Sequence, residues 1–352
     1  MNLLIHPFLN KYGGAERKVM LLIRECKIKE IDAKVLTWKY DKSFYEEYDI
    51  YDHIIQIKAH NLFFWCLKTV YFCLFKKQIN KLIAMNYPSN IVVSFISFFS
   101  LNKVESIWMC NEVSHIVNKR NFFKKFFLFI IEFVSIRFID QIYVNSKNTY
   151  ENLLKSYNKC ANQIIYSGID INNFDFLIRK SGLNNFKDID YIFIGRIEKH
   201  KGIDLIIQIA KLLPNKKFYI VGDGSYRKYL YSSFNKMKNI NFIKSCSEFE
   251  KICFLRRSNL FLFTSRYEPL GVAIIESIYC NTKVLAFNSC GPREIIRNNI
   301  DGILVENEEE YIRAAISIKE SFIKKRSDYK KYIKLNFNQQ DMINKILETW
   351  LK

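Results

Sequence analysis

An apolar run that stops in a polar loop and resumes as a helix constrains this chain more than any other feature. Leu260 to Phe263 has strand character and ends at Thr264 and Ser265. Pro269 follows where a first helical residue is tolerated, because its missing N–H would have no helical partner there. Beyond it Val272, Ile275 and Tyr279 recur at helical spacing. The same alternation of strand and helix runs through the second half of the chain. Its pattern is that of a parallel sheet with helices laid on it, which places the chain in the α/β class.

The helix start in this segment has the makings of an anion site. Free amides of Leu270, Gly271 and Val272 would point out of it, where backbone donors and the helix dipole favour negative charge. Gly271 allows a ligand close to the backbone. Two carboxylates bracket the start, Glu268 on the loop and Glu276 about two turns further on. Phosphate binding alone would not use carboxylates. A ligand that carries hydroxyls as well as phosphate, a nucleotide sugar, would.

Two further stretches have the same character. Gly195 to Gly202 reads GRIEKHKG after a strand, and Gly291 to Ile296 reads GPREII. Together the three resemble glycosyltransferase family 4, whose members carry an E-x7-E signature and a G-R-x4-K-G motif. GPREII is usual in the branch that includes lipid-linked-oligosaccharide mannosyltransferases. The resemblance implies a retaining enzyme of GT-B architecture, with two Rossmann-like doubly wound domains facing a central cleft.

At 352 residues the chain is too long for one ordinary core. The polar stretch Arg179 to Lys187 is the best linker candidate. It suggests residues 1–180 as a Rossmann-like acceptor-binding domain and 181–335 as a Rossmann-like nucleotide-sugar-binding domain. Residues 336–352 would form a helix returning towards the first. A net charge of +19 suits nucleic acid, an anionic membrane surface or anionic small ligands, although a Lys-rich composition alone would also give it. No zinc-finger spacing or aromatic RNA-binding signature is present, so no nucleic-acid partner is expected. The nine cysteines lie scattered, without a C-x2-C pair, and suggest reduced, buried thiols in a cytoplasmic protein. The start turns polar too early for a signal peptide, and no run reaches the ~20 apolar residues that span a bilayer.

In the first half, Asn2 to Ile5 reads as a strand that leads through Gly13 and Gly14 into a helix from Ala15. Leu62 to Met85 reads as one long helix, Ile91 to Phe95 as a buried strand, and Ile107 to Cys110 as another. Lys119 to Phe138 places Phe122, Phe126, Phe129, Ile130 and Phe133 on one helical face and Lys124, Lys125 and Glu132 towards another. Such a helix either lies on anionic lipid or packs in the core. In the second half, Phe218 to Val221 ends in GDG, where the absence of a third glycine excludes a dinucleotide fingerprint.

The resemblance assigns roles to residues. Arg196 and Lys201 would hold the donor diphosphate, with Gly14 near it. Glu276 would take the ribose hydroxyls and Glu268 those of the sugar. Lys244 stands beside the nucleobase position, where the family usually has glycine. Asn111 stands where family members often have histidine, which puts that role in doubt, and His115 is a candidate substitute. No D-x-D pair sits in a suitable loop, so neither metal nor cofactor is expected. The partners expected are a nucleotide sugar and a glycan or lipid-linked acceptor. A non-catalytic member of the fold and a basic nucleic-acid-binding protein are the competing readings.

Overall fold

The computed structural model describes residues 1–352 apart from 11–13, 45, 77, 101–103, 114–121, 184–185, 235–236, 319–321, 323–327 and 352. The chain forms two compact units, Met1–Ile165 with Asp341–Lys352, and Tyr166–Gln340.

The first unit contains β1 (Asn2–Ile5), β2 (Phe8–Leu9), α1 (Gly14–Ile28), β3 (Ala33–Thr37), β4 (Lys39–Tyr40) and β5 (Ile54–Gln56). After these come α2 (Leu62–Phe75), β6 (Lys81–Ala84), α3 (Ser89–Phe99), β7 (Glu105–Cys110), α4 (Phe122–Ser135), β8 (Gln141–Val144), α5 (Lys147–Tyr157) and β9 (Gln163–Ile164). Its sheet has the order β5-β3-β1-β6-β7-β8-β9, with every pairing parallel. A parallel sheet is covered on both faces, so its inner strands are almost wholly buried and alternate between two cores. Leu4, Ile83 and Met109 face Val19 and Ile23 of α1. Leu3, Leu82 and Trp108 face Trp65 of α2 and Val93 of α3.

Two expectations for this half are corrected. Leu62 to Met85 is not one helix: it breaks after Phe75, and Lys81–Ala84 is a central strand. Ile91 to Phe95 is not a strand but lies inside α3. A short apolar run of β-branched residues fits either state by periodicity, and here the sheet's central slot is filled by KLIA instead.

The second unit contains α6 (Ile171–Ser181), β10 (Ile189–Ile194), α7 (Ile203–Leu212), β11 (Phe218–Val221), α8 (Arg227–Phe234), β12 (Ile240–Ile243) and α9 (Glu248–Arg257). It continues with β13 (Ser258–Phe263), α10 (Val272–Tyr279), β14 (Lys283–Phe287), α11 (Cys290–Ile295), β15 (Gly302–Val305), α12 (Glu308–Ser317) and α13 (Tyr329–Asn336). Its sheet runs β12-β11-β10-β13-β14-β15, again parallel throughout. The order reverses at β10 and β13, and ligands of doubly wound sheets bind at the carboxyl ends of strands at such a switch point.

The division falls between Ile165 and Tyr166, earlier than residue 180. The stretch expected as a linker starts with the last turn of α6, which packs on α9 of the second unit. Gly168 lies flush on the chain after α13, where a Cβ would sit 2.3 Å from the Phe337 carbonyl oxygen. The last helix, α14 (Gln339–Leu351), buries Met342, Ile343, Ile346 and Trp350 in the core beside α1.

Candidate active site

The site of the second unit grows from the ends of β10, β11 and β13. After β10 the chain turns through Gly195 and Arg196 into a short 3-10 turn, Lys199–Lys201, and enters α7 at Gly202. Gly202 has φ +68°, and a Cβ there would lie 2.3 Å from the Thr264 carbonyl oxygen. Only glycine combines that backbone with so close an approach. The Thr264 hydroxyl donates to the Lys201 carbonyl at 2.6 Å, so the GRIEKHKG loop is fastened to the end of β13. Gly222 and Gly224 press the end of β11 onto the same loop, with Cβ positions 1.9 Å from the Gly195 carbonyl oxygen and 2.4 Å from that of Ile197.

This fastening brings Lys201 to Glu268. The Lys201 ammonium donates to Glu268 Oε2, with both side chains largely shielded from solvent. The Glu268 loop is held from the other side by GPREII. The Gly291 amide donates to the Glu268 carbonyl at 3.0 Å, and a Gly291 Cβ would lie 2.1 Å from the Leu270 carbonyl oxygen. The three motifs of the sequence therefore form one connected structure.

The helix start differs in detail from the expectation. Pro269 is not a helical residue: α10 begins at Val272, capped by Gly271 at φ +100°, a left-handed value that favours glycine. Among the described residues, the amides of Leu270, Gly271 and Val272 donate to no protein acceptor. Unpaired donors at a helix start are of the kind that favours an anion.

Glu276 lies on the buried side of α10, surrounded by Ile274, Ile275, Ile278 and Tyr279. Its carboxylate accepts from Lys251 Nζ at 2.6 Å. Lys251 lies on α9, whose start is set by the reciprocal capping of Ser247 and Glu250. Sequence reasoning missed this lysine, because nothing in the E-x7-E spacing points to a partner on another helix. The neighbouring Cys280 thiol is pushed up to about 12, first by burial and then by the Glu276 charge.

Arg196 is exposed and, among the described residues, pairs with no carboxylate. Glu198 is held below the usual carboxylate range, chiefly by the Ser225 hydroxyl, which donates at 2.7 Å, with the Arg196 charge adding to this. Lys244 reaches Asp223 at 3.7 Å and is otherwise open to solvent.

In the first unit, Gly14 opens α1, one residue before the expected start, and is exposed. Gly13 and His115 lie outside the described residues. Asn111 follows β7, and its side-chain amide donates to Asn86 Oδ1 at 2.8 Å and to the Met85 carbonyl at 3.3 Å. These links join the carboxyl ends of β6 and β7. His6, at the end of neighbouring β1, is buried, with neither ring nitrogen hydrogen-bonded among the described residues and Glu16 at 3.9 Å. A single histidine after a short strand carries no signal in the sequence.

The arrangement resembles known proteins in three comparisons. Residues 174–336 match the family model of the glycosyl transferases group 1. An uncharacterized 41.2 kDa protein in the cps region of Klebsiella pneumoniae is 22% identical over 281 residues, 75% of this chain and 76% of that protein. Mouse alpha-1,3/1,6-mannosyltransferase ALG2 is 25% identical over 251 residues, 63% of this chain and 60% of that protein. Among solved structures, Anabaena Alr3699/HepE in complex with UDP superimposes with a TM-score of 0.76 over 99% of both chains at 19% identity, which establishes a shared fold. No described helix is long and apolar enough to cross a membrane. The chain has the two-unit GT-B fold, and its match to the glycosyl transferases group 1 lies within the second unit.

Proposed function

We propose that this chain is a retaining hexosyltransferase that moves a hexosyl group from a nucleoside diphosphate sugar to a glycan or lipid-linked acceptor. One observation carries the reading. Two shielded carboxylates, each with a lysine counter-ion, flank a helix start whose amides lack protein acceptors. Amides and cations suit a diphosphate, and carboxylates suit hydroxyls; a nucleotide sugar presents both.

In this reading Arg196, Lys201 and the amides of Leu270, Gly271 and Val272 stabilise charge on the leaving diphosphate. Arg196 can grip phosphate oxygens in a bidentate fashion, and Lys201 adds a compact charge held in place by Glu268. Glu276 accepts from the ribose diol, and Glu268 from hydroxyls of the hexose. The bond from the anomeric carbon to the diphosphate oxygen breaks as the acceptor oxygen bonds on the same face. The acceptor proton passes to the leaving phosphate oxygen, so the configuration is retained. Gly14, Asn111 and His115 are assigned to the donor-phosphate and acceptor side on the family pattern.

A melting-temperature screen against UDP, GDP and ADP, followed by donor hydrolysis without acceptor, tests the reading. A ligand that binds only the native state raises its stability. We expect one nucleoside diphosphate to raise the melting temperature and its hexose conjugate to be slowly hydrolysed. The absence of any shift, with no hydrolysis, would contradict the proposal.

A further inference from the structure

Three helices of the first unit carry large apolar residues on their outward sides as well as against the sheet. A helix that covers a sheet in water turns its apolar side to the sheet and its polar side outwards. Here α3 buries Ser89, Asn90 and Ser94, and α4 buries Glu132 and Ser135. Most of these inward polar groups are paired, while among the described residues the Ser89 hydroxyl and Asn90 Oδ1 are not. Asn90 Nδ2 donates to Glu132 Oε1 at 3.1 Å, the Tyr157 hydroxyl to Glu132 Oε2 at 2.5 Å, and the Ser94 hydroxyl to the Ser135 carbonyl at 2.6 Å. Meanwhile Phe63 and Phe75 on α2 are 67% and 71% exposed, Phe98 and Phe99 on α3 each 57%, and Phe127 and Val134 on α4 66% and 50%.

These outward faces form one surface. Helix α3 packs between α2 and α4, and the Phe98 ring lies 4.8 Å from that of Phe138, just beyond α4. The three helices cover the same side of the sheet, so their free sides look the same way. A patch of this kind marks an interaction site.

Its charge indicates what covers it. The sequences of α2, α3 and α4 contain one acidic residue, Glu132, and it is 1% exposed. The exposed cations Lys68 and Lys76 stand on an open groove of about 790 Å³ whose floor includes Leu67, Tyr71 and Phe75. Cations beside an apolar floor match an anionic amphiphile, with its phosphate at the ammonium groups and its chain against the rings. The side chains of Lys124 and Lys125 lie outside the described residues, so the charge argument rests on Lys68 and Lys76.

We propose that the α2–α3–α4 face seats the first unit in the headgroup–acyl boundary of an anionic lipid bilayer. Its Phe side chains insert, and Lys68 and Lys76 meet lipid phosphates. The binding is apolar insertion guided by charge, as for helices that lie in the interface plane. The proposal is independent of the donor chemistry, since vesicle binding requires no nucleotide.

Flotation of the full chain with vesicles of mixed phosphatidylglycerol and phosphatidylcholine, and of phosphatidylcholine alone, tests it. The wild type should float with the mixed vesicles and more weakly with the neutral ones. A Phe63→Ser, Phe98→Ser, Phe127→Ser variant should lose at least about tenfold in affinity, given the apolar area withdrawn, at an unchanged melting temperature. A Lys68→Glu, Lys76→Glu variant should lose the preference for anionic vesicles, and it decides the matter if the Phe variant does not fold. A wild type that does not float, or Phe and Lys variants that float like it, would overturn the proposal. So would a lipid-free dimer that the Phe substitutions convert to monomer, which would assign the face to a second copy of the chain.

Discussion

Glu276 and Lys251 depend on each other. A carboxylate among isoleucines is tolerated because an ammonium lies 2.6 Å away, and a buried charge that loses its partner is costly. Lys251→Met should therefore destabilise the protein by about 3–5 kcal/mol in denaturant unfolding, with Glu276→Leu added to it restoring most of the loss. Arg196 and Lys201 should separate by the same logic. Arg196→Ala removes an exposed cation that forms no ion pair among the described residues, so donor binding should weaken while stability holds. Lys201→Ala also strips Glu268 of its partner, so stability and turnover should fall together, though the fold should survive. Unchanged donor kinetics in both variants would remove the phosphate assignment. Arg196 with Lys201, and Glu268 with Glu276, were legible because each pair is spaced within one short stretch of chain. Their pairing was not, since Lys201 and Glu268 meet across 67 residues and Lys251 and Glu276 across 25.

At the scale of elements, legibility followed the polarity of the free helix face. In the second unit α7 turns Asp204, Gln208 and Lys211 to solvent as a water-exposed helix does, and every strand expected there is present. In the first unit the outward sides of α2 and α3 are themselves apolar, so nothing marked where helix ended and strand began. The start of α10 was misplaced for a smaller reason: Gly271, not Pro269, makes the turn into the helix. The first helix carries a separate consequence. Lys18 of α1 is buried, and burial lowers its ammonium from 10.5 to about 8. Between these values the unfolded chain holds a proton at Lys18 that the folded chain has released. The contribution of this group to stability therefore rises as pH goes from about 8 to about 10.5, by up to about 3 kcal/mol. Urea unfolding of wild type and Lys18→Met across this range should show the gap between them narrowing as pH rises. A constant gap would place Lys18 in contact with water.

For the whole molecule, the two parallel sheets follow from alternation of strand and helix, but their division at Ile165 does not. The segment Ser167 to Phe174 belongs to the second unit because Gly168 packs on Phe337, and α14 belongs to the first because its apolar side, with Trp350, closes the core over α1. Both are contacts between distant parts of the chain, which a local pattern does not carry. The family match covers the second unit, where all three motifs lie. The proposed donor site lies in that unit, and Glu276 is the most specific residue proposed for it. Glu276→Gln keeps the size and one acceptor oxygen but loses the charge. Calorimetric titration of wild type and Glu276→Gln with the nucleoside diphosphate selected by the melting screen measures this directly. The account predicts a loss of about 1.5–3 kcal/mol in binding, as for hydrogen bonds to a charged group, with the fold intact. Equal affinity of the two proteins for the bare nucleotide would contradict it.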